Sequence, residues 1–259
     1  MTWHIFKKDV RLLWPLALSV VVLQALCVAR TWFFGHFDQP AELAALTRNL
    51  PFLVYLGISL VGIAVVHQEP LPSIRADWLV RPIKRRDLAL SKVLFMVLMV
   101  NLPIMLLDVV QQVALHFPLP ESIGVAASRS IGLFAVFSLP ALVLGAVTRS
   151  LLDALVFVIA SAIAFVCLVA AAYTVLSPER LTFHTTWIGY ACGGLVITLG
   201  AAATLAFQYR TRRTLPARCM VLTAVLAALC AFFGLPREAV IAIQDRAWEH
   251  SNDGGITSA

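Results

Sequence analysis

The chain has 259 residues, of which 60% are hydrophobic and only 13% are charged, and its mean hydropathy is +0.87. A soluble domain carries about 25% charged residues, so too little polar surface remains here to cover a water-soluble globule. The apolar residues come in long runs, and runs of about 18 or more with few charges are typical of membrane-spanning helices. The composition therefore predicts one all-α membrane domain.

Seven segments match the ~20 residues that a helix needs to cross a ~30 Å hydrocarbon core. The third contains Pro103 and is long enough to tilt or bend. The fourth is short and contains Pro140, so we expect it to be the least regular, as a broken or re-entrant segment. The segments are Leu12–Phe34, Leu50–His67, Val93–Phe117, Ser130–Val147, Ala154–Leu176, Trp187–Phe207 and Cys219–Leu235.

The basic residues between these segments indicate the orientation of the chain. Fourteen of the 20 Lys and Arg residues lie on the same side of the predicted bundle as the N-terminus. They fall in the N-terminal segment, in the loop 68–92, at Arg149 and in the loop 209–218. Short cytoplasmic loops are enriched in Lys and Arg. We therefore expect a multi-pass protein of the bacterial inner membrane with a cytoplasmic N-terminus. An odd number of spans would place a polar tail, residues 237–259, on the extracytoplasmic side of a membrane domain that covers residues 1–236.

The N-terminal residues predict a helix that lies in the membrane interface. Trp3, Phe6, Val10 and Leu13 form one apolar stripe at helical spacing, and basic residues lie off it. A basic amphipathic helix with aromatic residues favours the interface. Pro15 permits a bend into the first span. The predicted fold is thus a polytopic transmembrane bundle of six to seven spans with an interfacial amphipathic helix over residues 1–13. The alternative is a plain cytoplasmic lead-in to the first span.

The loop 68–92 is the most polar part of the chain. Ser73 can cap a short helix that contains Trp78, and Pro82 ends it because the residue before a proline avoids the helical region. Trp78 offers a large apolar surface with a polar N–H group. A charged, structured loop exceeds what a chain reversal requires, although an ordinary positive-inside loop is the alternative.

The segment from Asp77 to Leu88, DWLVRPIKRRDL, followed by Lys92, resembles the corresponding loop of the type-2 family of ABC transporter permeases. Members of that family often carry an acidic start, Arg-Pro-Ile, then basic residues and a lysine that enters the third span. The resemblance covers roughly residues 1–213 and is sharpest over about two dozen residues. Members commonly have six spans, whereas this chain offers a seventh, which sets its C-terminal part apart from the family.

The resemblance implies a dimeric pore, formed as a homodimer or heterodimer of permease subunits, with a separate ABC ATPase subunit bound below it. It also implies that the loop 68–92 is the coupling helix that receives the ATPase stroke. The residues that would form this contact are Glu69, Arg75, Asp77, Trp78, Arg81, Pro82, Arg85 and Arg86.

Polar residues inside the third span are the remaining indication of a site. Asp108 lies in the middle of the predicted span, Gln111 and Gln112 follow one turn later, and Asn101 precedes it by about two turns. A carboxylate at the bilayer centre costs about 2.5–3.5 kcal/mol on insertion scales, so it normally faces the bundle or a wet cavity. Asp108 either lines a substrate path, or pairs with an arginine such as Arg30 or Arg129, or fixes helix packing by a hydrogen bond.

Two further expectations concern local contacts near other spans. Asp153 follows Arg149 at i, i+4 spacing, which favours a local ion pair. Small residues in the sixth span allow close approach of a neighbouring helix; they are Gly189, Gly193, Gly194 and Gly200.

Motifs that would indicate other chemistry are missing from the sequence. It contains no G-x-x-x-x-G-K-[ST] phosphate loop, no H-E-x-x-H and no G-x-S-x-G, so ATP hydrolysis is expected on another chain. The cysteines lack C-x-x-C spacing, and we predict no metal, no cofactor and no catalytic residue. The basic charge fits contact with lipid head groups, not nucleic acid.

Two functions from different classes follow from this sequence. The first is the permease subunit of an ATP-binding-cassette exporter for an unidentified substrate. The alternative is a membrane-embedded enzyme or sensor without an ATPase partner. A neighbouring gene for a P-loop ATPase would favour the first, and a cluster of ionisable residues at one depth would favour the second.

Overall fold

The computed structural model describes residues 2–34, 49–68, 85–160, 163, 167, 187–211 and 213–233. Every regular element in these residues is helical, with no strand among them, which confirms the all-α prediction. Seven helices are described: α1 Thr2–Phe34, α2 Leu50–His67, α3 over residues 85–114, α4 Leu119–Val147, α5 Leu151–Ala160, α6 Trp187–Thr211 and α7 Thr214–Phe233.

Six of the described helices, all except α5, are long and apolar enough to cross a membrane. The prediction of a polytopic transmembrane bundle is therefore confirmed for these spans. Helix α5 covers only the start of the predicted segment Ala154–Leu176, and most of that segment lies outside the described residues. Residues 69–84 of the loop and the tail 237–259 also lie outside them.

Helix α1 runs without a break from the N-terminal segment into the first span. Pro15 lies inside this helix of 33 residues and does not separate two helices. At ~1.5 Å per residue it is about 50 Å long, which exceeds a ~30 Å hydrocarbon core. Phe6 of the predicted stripe is buried in the protein core, whereas Trp3 is exposed and stacks on it at 5.0 Å. The N-terminal segment is thus helical as expected, and its interfacial placement stays a prediction.

Helix α4 corrects the expectation of a short fourth span. It begins at Leu119, eleven residues before Ser130, and continues to Val147 as one span of 29 residues. The early start places Pro120 in the first turn, where its missing N–H needs no helical partner. Pro140 does not break the helix, because a π-helical turn, Phe134–Ser138, precedes it and accommodates the proline.

Small residues bring the central helices close together. A Cβ atom on Gly62 would lie 2.7 Å from the Cβ of Ala141, and one on Gly145 would lie 3.1 Å from the carbonyl oxygen of Ile63. Helices α2 and α4 therefore pack almost backbone to backbone, as small residues allow in membranes. In the sixth span the predicted close approach holds at Gly200, which contacts Ala224 of α7, but Gly194 faces open space.

Contacts between helix ends place the basic segments together at one end of the bundle. His67 at the end of α2 hydrogen bonds Thr148 after α4 at 3.1 Å, and Gln208 near the end of α6 donates to the carbonyl of Ala146 at 3.1 Å. Tyr209 shares a core cluster with Ile5 and Phe6 of α1. The first turns of α1 and the last turns of α2, α4 and α6 therefore share one end, which we call the basic end.

Candidate functional site

A buried polar cluster joins α1, α3 and α4. The Nε2 of Gln24 donates to Oδ1 of Asp108 at 2.8 Å, and a guanidinium nitrogen of Arg129 donates to the same oxygen at 2.9 Å. The Asp108 side chain is only 2% exposed, whereas that of Arg129 is 44% exposed. Of the alternatives for Asp108, a pairing with an arginine is therefore present, at Arg129, beside a helix–helix hydrogen bond from Gln24, and Asp108 faces the bundle.

The second polar contact lies two turns away on α3. The Nδ2 of Asn101 donates to Oγ of Ser138 on α4 at 3.1 Å and to the carbonyl of Met96 at 3.0 Å. Asn101 and Ser138 are both buried. We call the five residues of these two contacts the polar seam; they are Gln24, Asn101, Asp108, Arg129 and Ser138.

The two halves of the Asn101–Ser138 contact are built alike. Asn101 ends the π-helical turn Met96–Asn101 and Ser138 ends the turn Phe134–Ser138, and each lies two residues before a proline. At each turn the backbone bonds span five residues, from Leu102 N–H to Val97 O and from Leu139 N–H to Phe134 O. A π turn widens the helix and frequently marks a functional position. Here the wider turns present Asn101 and Ser138 to each other.

Two hydrogen-bond acceptor oxygens of the polar seam take no part in the hydrogen bonds described above. Oδ2 of Asp108 and Oδ1 of Asn101 are buried and have no hydrogen-bond partner among the described residues. Residues seven apart lie on one face of a helix, so both acceptors face the same side of α3. Buried oxygens without a donor are costly, so these positions favour water, a proton or a donor group of a passing molecule. Gln111 and Gln112 continue α3 one turn further and are half-buried.

A buried ion pair lies near the basic end on the same two helices, α1 and α3. Nζ of Lys92 is 2.8 Å from Oδ2 and 3.0 Å from Oδ1 of Asp9, and the two side chains are 2% and 0% exposed. Lys92 ends the predicted loop 68–92, but in the structure it lies about two turns inside α3, which begins at Arg85. The pair therefore joins the first turns of α3 to α1.

The ion pair and the polar seam together fix α1 against α3 at two levels. Asp9 and Gln24 are 15 residues apart on α1, and their partners Lys92 and Asp108 are 16 residues apart on α3. At ~1.5 Å per residue both spacings are about 23 Å. The two helices are therefore parallel and in register, and each level carries charge-assisted hydrogen bonds, which are the stronger kind.

Asp108 lies nearer one end of its helix than the sequence suggested. Helix α3 ends at Ala114, only about 9 Å beyond Asp108, whereas its span begins at residue 86 and not at Val93. Asp108 is thus off the centre of this helix, and its depth in the membrane stays a prediction. Arg129 reaches Asp108 because α4 starts early, at Leu119.

The expected ion pair between Asp153 and Arg149 is also corrected. Oδ2 of Asp153 accepts the backbone N–H of Arg149 at 3.0 Å, while its charged partner is Arg218 of α7 at 3.0 Å. The Asp153 N–H also donates to Oγ of Ser150 at 3.1 Å. Asp153 therefore caps the start of α5, which turns its carboxylate toward α7.

The predicted coupling residues are mostly beyond the described part of the chain. Glu69, Arg75, Asp77, Trp78, Arg81 and Pro82 lie outside the described residues. Arg85 starts α3, and Arg86 beside it is exposed. The role of these residues stays a prediction.

Sequence reasoning missed Asp9, Gln24 and Ser138 as site residues. A signal did exist, since Asp9 is the first acidic residue of the chain and Gln24 is a polar residue inside the first predicted span. Ser138 gave no such signal because Ser is common at packed helix interfaces in membranes. No group of three or more His, Cys, Asp or Glu side chains that could hold a metal occurs in the described residues.

Comparison of the chain with models of known families, with curated proteins and with solved structures found no match.

Proposed function

We propose that this chain is the membrane-spanning permease subunit of an ATP-binding-cassette exporter, driven by a separate ATPase subunit. The observation that supports the proposal best is the buried Asp9–Lys92 pair, 2.8 Å long, about two turns inside α3, the helix into which the predicted loop 68–92 leads. An ATPase that pushed this loop would move Lys92. Helix α1 would move with it, because Asp9 of α1 is paired with Lys92.

The α1–α3 pair gives that stroke a route into the membrane. The two helices are bonded at Asp9–Lys92 and again at Gln24–Asp108, so a push on their basic end displaces them together. The polar seam at their far end meets α4 through Arg129 and Ser138. Both π turns lie along this route, and helices bend most readily at π turns and prolines. In this account, movement of α1 and α3 against α4 opens the polar seam to substrate.

The partners and placement follow from the same proposal. The protein lies in a bacterial inner membrane with the basic end in the cytoplasm, it pairs with a second permease subunit, identical or different, and the ATPase docks on the loop 68–92. The residues proposed for that contact are Glu69, Arg75, Asp77, Trp78, Arg81, Pro82, Arg85 and Arg86. The substrate path includes Asn101, Asp108, Gln111 and Gln112.

One observation favours the alternative of a membrane-embedded enzyme or sensor. Asp108 and Arg129 are two ionisable groups at one depth of the bundle. Each has the other as its charged partner, however, and no group of three or more His, Cys, Asp or Glu side chains that could hold a metal occurs within the described residues. A single ion pair of this kind suits a gate or a binding point better than hydrolytic chemistry, which needs a nucleophile and a base.

Purification of the tagged chain from its own membranes tests the proposal. A P-loop ATPase should co-purify in near-stoichiometric amount, and vesicles containing both chains should hydrolyse ATP faster than the ATPase alone. Recovery of the folded chain without any ATPase, together with undisturbed ATP hydrolysis by candidate ATPases, would favour the enzyme or sensor.

A further inference from the structure

An apolar groove lies between α4, α6 and α7, and residues of α5 also line it. It has a volume of about 190 Å³ and an almost entirely apolar lining that includes Leu144, Phe157, Thr204, Val221 and Val225. An apolar cavity of ~150 Å³ already holds a benzene molecule. The groove therefore has room for a short hydrocarbon segment.

The position of the groove limits what can fill it. Its residues on α4, α6 and α7 lie within helices that are long and apolar enough to span a membrane, so lipid chains surround its mouth. Gly200 lines the groove where α6 contacts Ala224 of α7. Because the groove is apolar and in the hydrocarbon region, water gains no hydrogen bonds there.

Arginine residues flank the end of the groove that points to the basic end. Arg218 lies one turn before Val221 on α7, donates to the Val147 carbonyl at 3.4 Å and pairs with Asp153 at 3.0 Å. Arg149 lies two residues after the end of α4 and Arg213 lies directly before α7, and both are exposed. Three arginines and one aspartate thus lie within about two helical turns beyond the apolar lining.

We propose that this groove binds one anionic glycerophospholipid, with an acyl chain against Val221 and Val225 and the phosphate beside Arg149, Arg213 and Arg218. Charge complementarity supports this occupant, since among the residues that the structure describes the three arginines lie at one end of the apolar slot. Basic pockets between spanning helices bind anionic head groups, with about 1 kcal/mol from each Lys or Arg near the surface. The bound lipid would brace α7 against α4.

Native mass spectrometry of the full chain in detergent micelles tests this, with phosphatidylglycerol and phosphatidylcholine of identical acyl chains as probes. Wild type should retain one phosphatidylglycerol and bind phosphatidylcholine at least tenfold more weakly. Val225→Trp fills the groove and should weaken both lipids at least tenfold. The double variant Arg149→Gln/Arg213→Gln should weaken phosphatidylglycerol about fivefold per arginine and leave phosphatidylcholine unchanged.

Two matched controls separate the groove from general lipid contact. Leu195→Trp adds the same side chain to an exposed position of α6 outside the groove lining, and Arg11→Gln removes an exposed arginine of α1. Both should bind lipid as wild type does. Equal phosphatidylglycerol retention by Val225→Trp and wild type overturns the proposal. So does an equal loss in Arg11→Gln and in the double arginine variant. A Val225→Trp variant that loses a dimer peak and no lipid also overturns it, in favour of a second copy in the groove.

Discussion

Asn101 donates a hydrogen bond to Ser138 at 3.1 Å, and these two residues end the two π-helical turns of α3 and α4. Each turn precedes a proline, at Pro103 and Pro140. Proline removes a backbone donor and crowds the carbonyl four residues earlier, and the wider turn relieves that clash. The side-chain amide of Asn101 also donates a hydrogen bond to the backbone carbonyl of Met96 within the π turn, at 3.0 Å.

This contact predicts a small, measurable coupling between α3 and α4. Asn101→Ala should cost more stability than Ser138→Ala, because Asn101 donates two hydrogen bonds and Ser138 accepts one of them. A double-mutant cycle should give a coupling of about 0.6 kcal/mol and no more than ~1.7 kcal/mol, the range for interhelical hydrogen bonds in membranes. Unfolding in mixed micelles measures it, and additive losses would show that the two side chains do not interact.

The Asp108–Arg129 pair predicts unequal effects of its two neutral variants. Arg129→Gln leaves a carboxylate that is 2% exposed, whereas Asp108→Asn leaves an arginine that is 44% exposed and can extend its head toward the helix end. We therefore expect Arg129→Gln to lower the free energy of unfolding more, by up to ~2.5–3.5 kcal/mol. The double variant Asp108→Asn/Arg129→Gln should recover part of that loss.

The control for this pair is Gln112→Leu, one turn further on the same helix. It should change the free energy of unfolding by less than Arg129→Gln does. A larger loss from Asp108→Asn than from Arg129→Gln would contradict the assignment of the carboxylate as the more buried partner. If the Asp108→Asn variant transports substrate as wild type does, the Asp108–Arg129 pair contributes to helix packing and not to transport.

The Asp9–Lys92 pair predicts strong coupling at the basic end. Removal of one member of a buried ion pair commonly costs about 3–5 kcal/mol, so Asp9→Asn and Lys92→Gln should each reduce the yield of folded protein. The double variant should lose less than the two single variants together, by 0.5–3 kcal/mol. Arg11→Gln, which replaces an exposed arginine of α1, should remain within ~0.5 kcal/mol of wild type.

The direction of the chain across the membrane predicts the result of reporter fusions. A reporter at Lys84 should read as cytoplasmic, because basic residues collect at that end, and a reporter at Arg48 should read as extracytoplasmic. A periplasmic signal at Lys84 would invert the assignment of every span.

The sequence predicted the spans well because hydropathy directly reflects the solvent that a helix meets. It placed α2 at Leu50–His67, as observed. It did not predict that the fourth span begins at Leu119. The segment ESIGVAASR, which follows Pro120, contains Glu121 and Arg129, and these charges lower the hydropathy of that stretch. A pairing of Asp108 with an arginine, Arg30 or Arg129, was one expectation from the cost of a lone charge in a membrane, and the structure shows it at Arg129.

Contacts that depend on tertiary geometry could not be predicted from the sequence. Asp9 and Lys92 lie 83 residues apart, and only the parallel packing of α1 and α3 brings them together. Asp153 has an arginine four residues earlier, yet it pairs with Arg218, because its capping role at the start of α5 turns it toward α7. The i, i+4 spacing therefore predicted correctly that Asp153 pairs with an arginine, but it predicted the wrong arginine.

The most direct test of the proposed function is co-purification of the ATPase with variants of the loop 68–92. Trp78→Ala and Arg81→Glu should reduce recovery of the ATPase about thirtyfold, because loss of an interface anchor commonly costs about 2 kcal/mol or more, while expression and folding stay unchanged. Trp14→Ala and Arg11→Glu, on exposed positions of α1, should recover the ATPase as wild type does. Equal recovery from the loop variants and wild type would contradict the account and reduce this loop to a positive-inside connection.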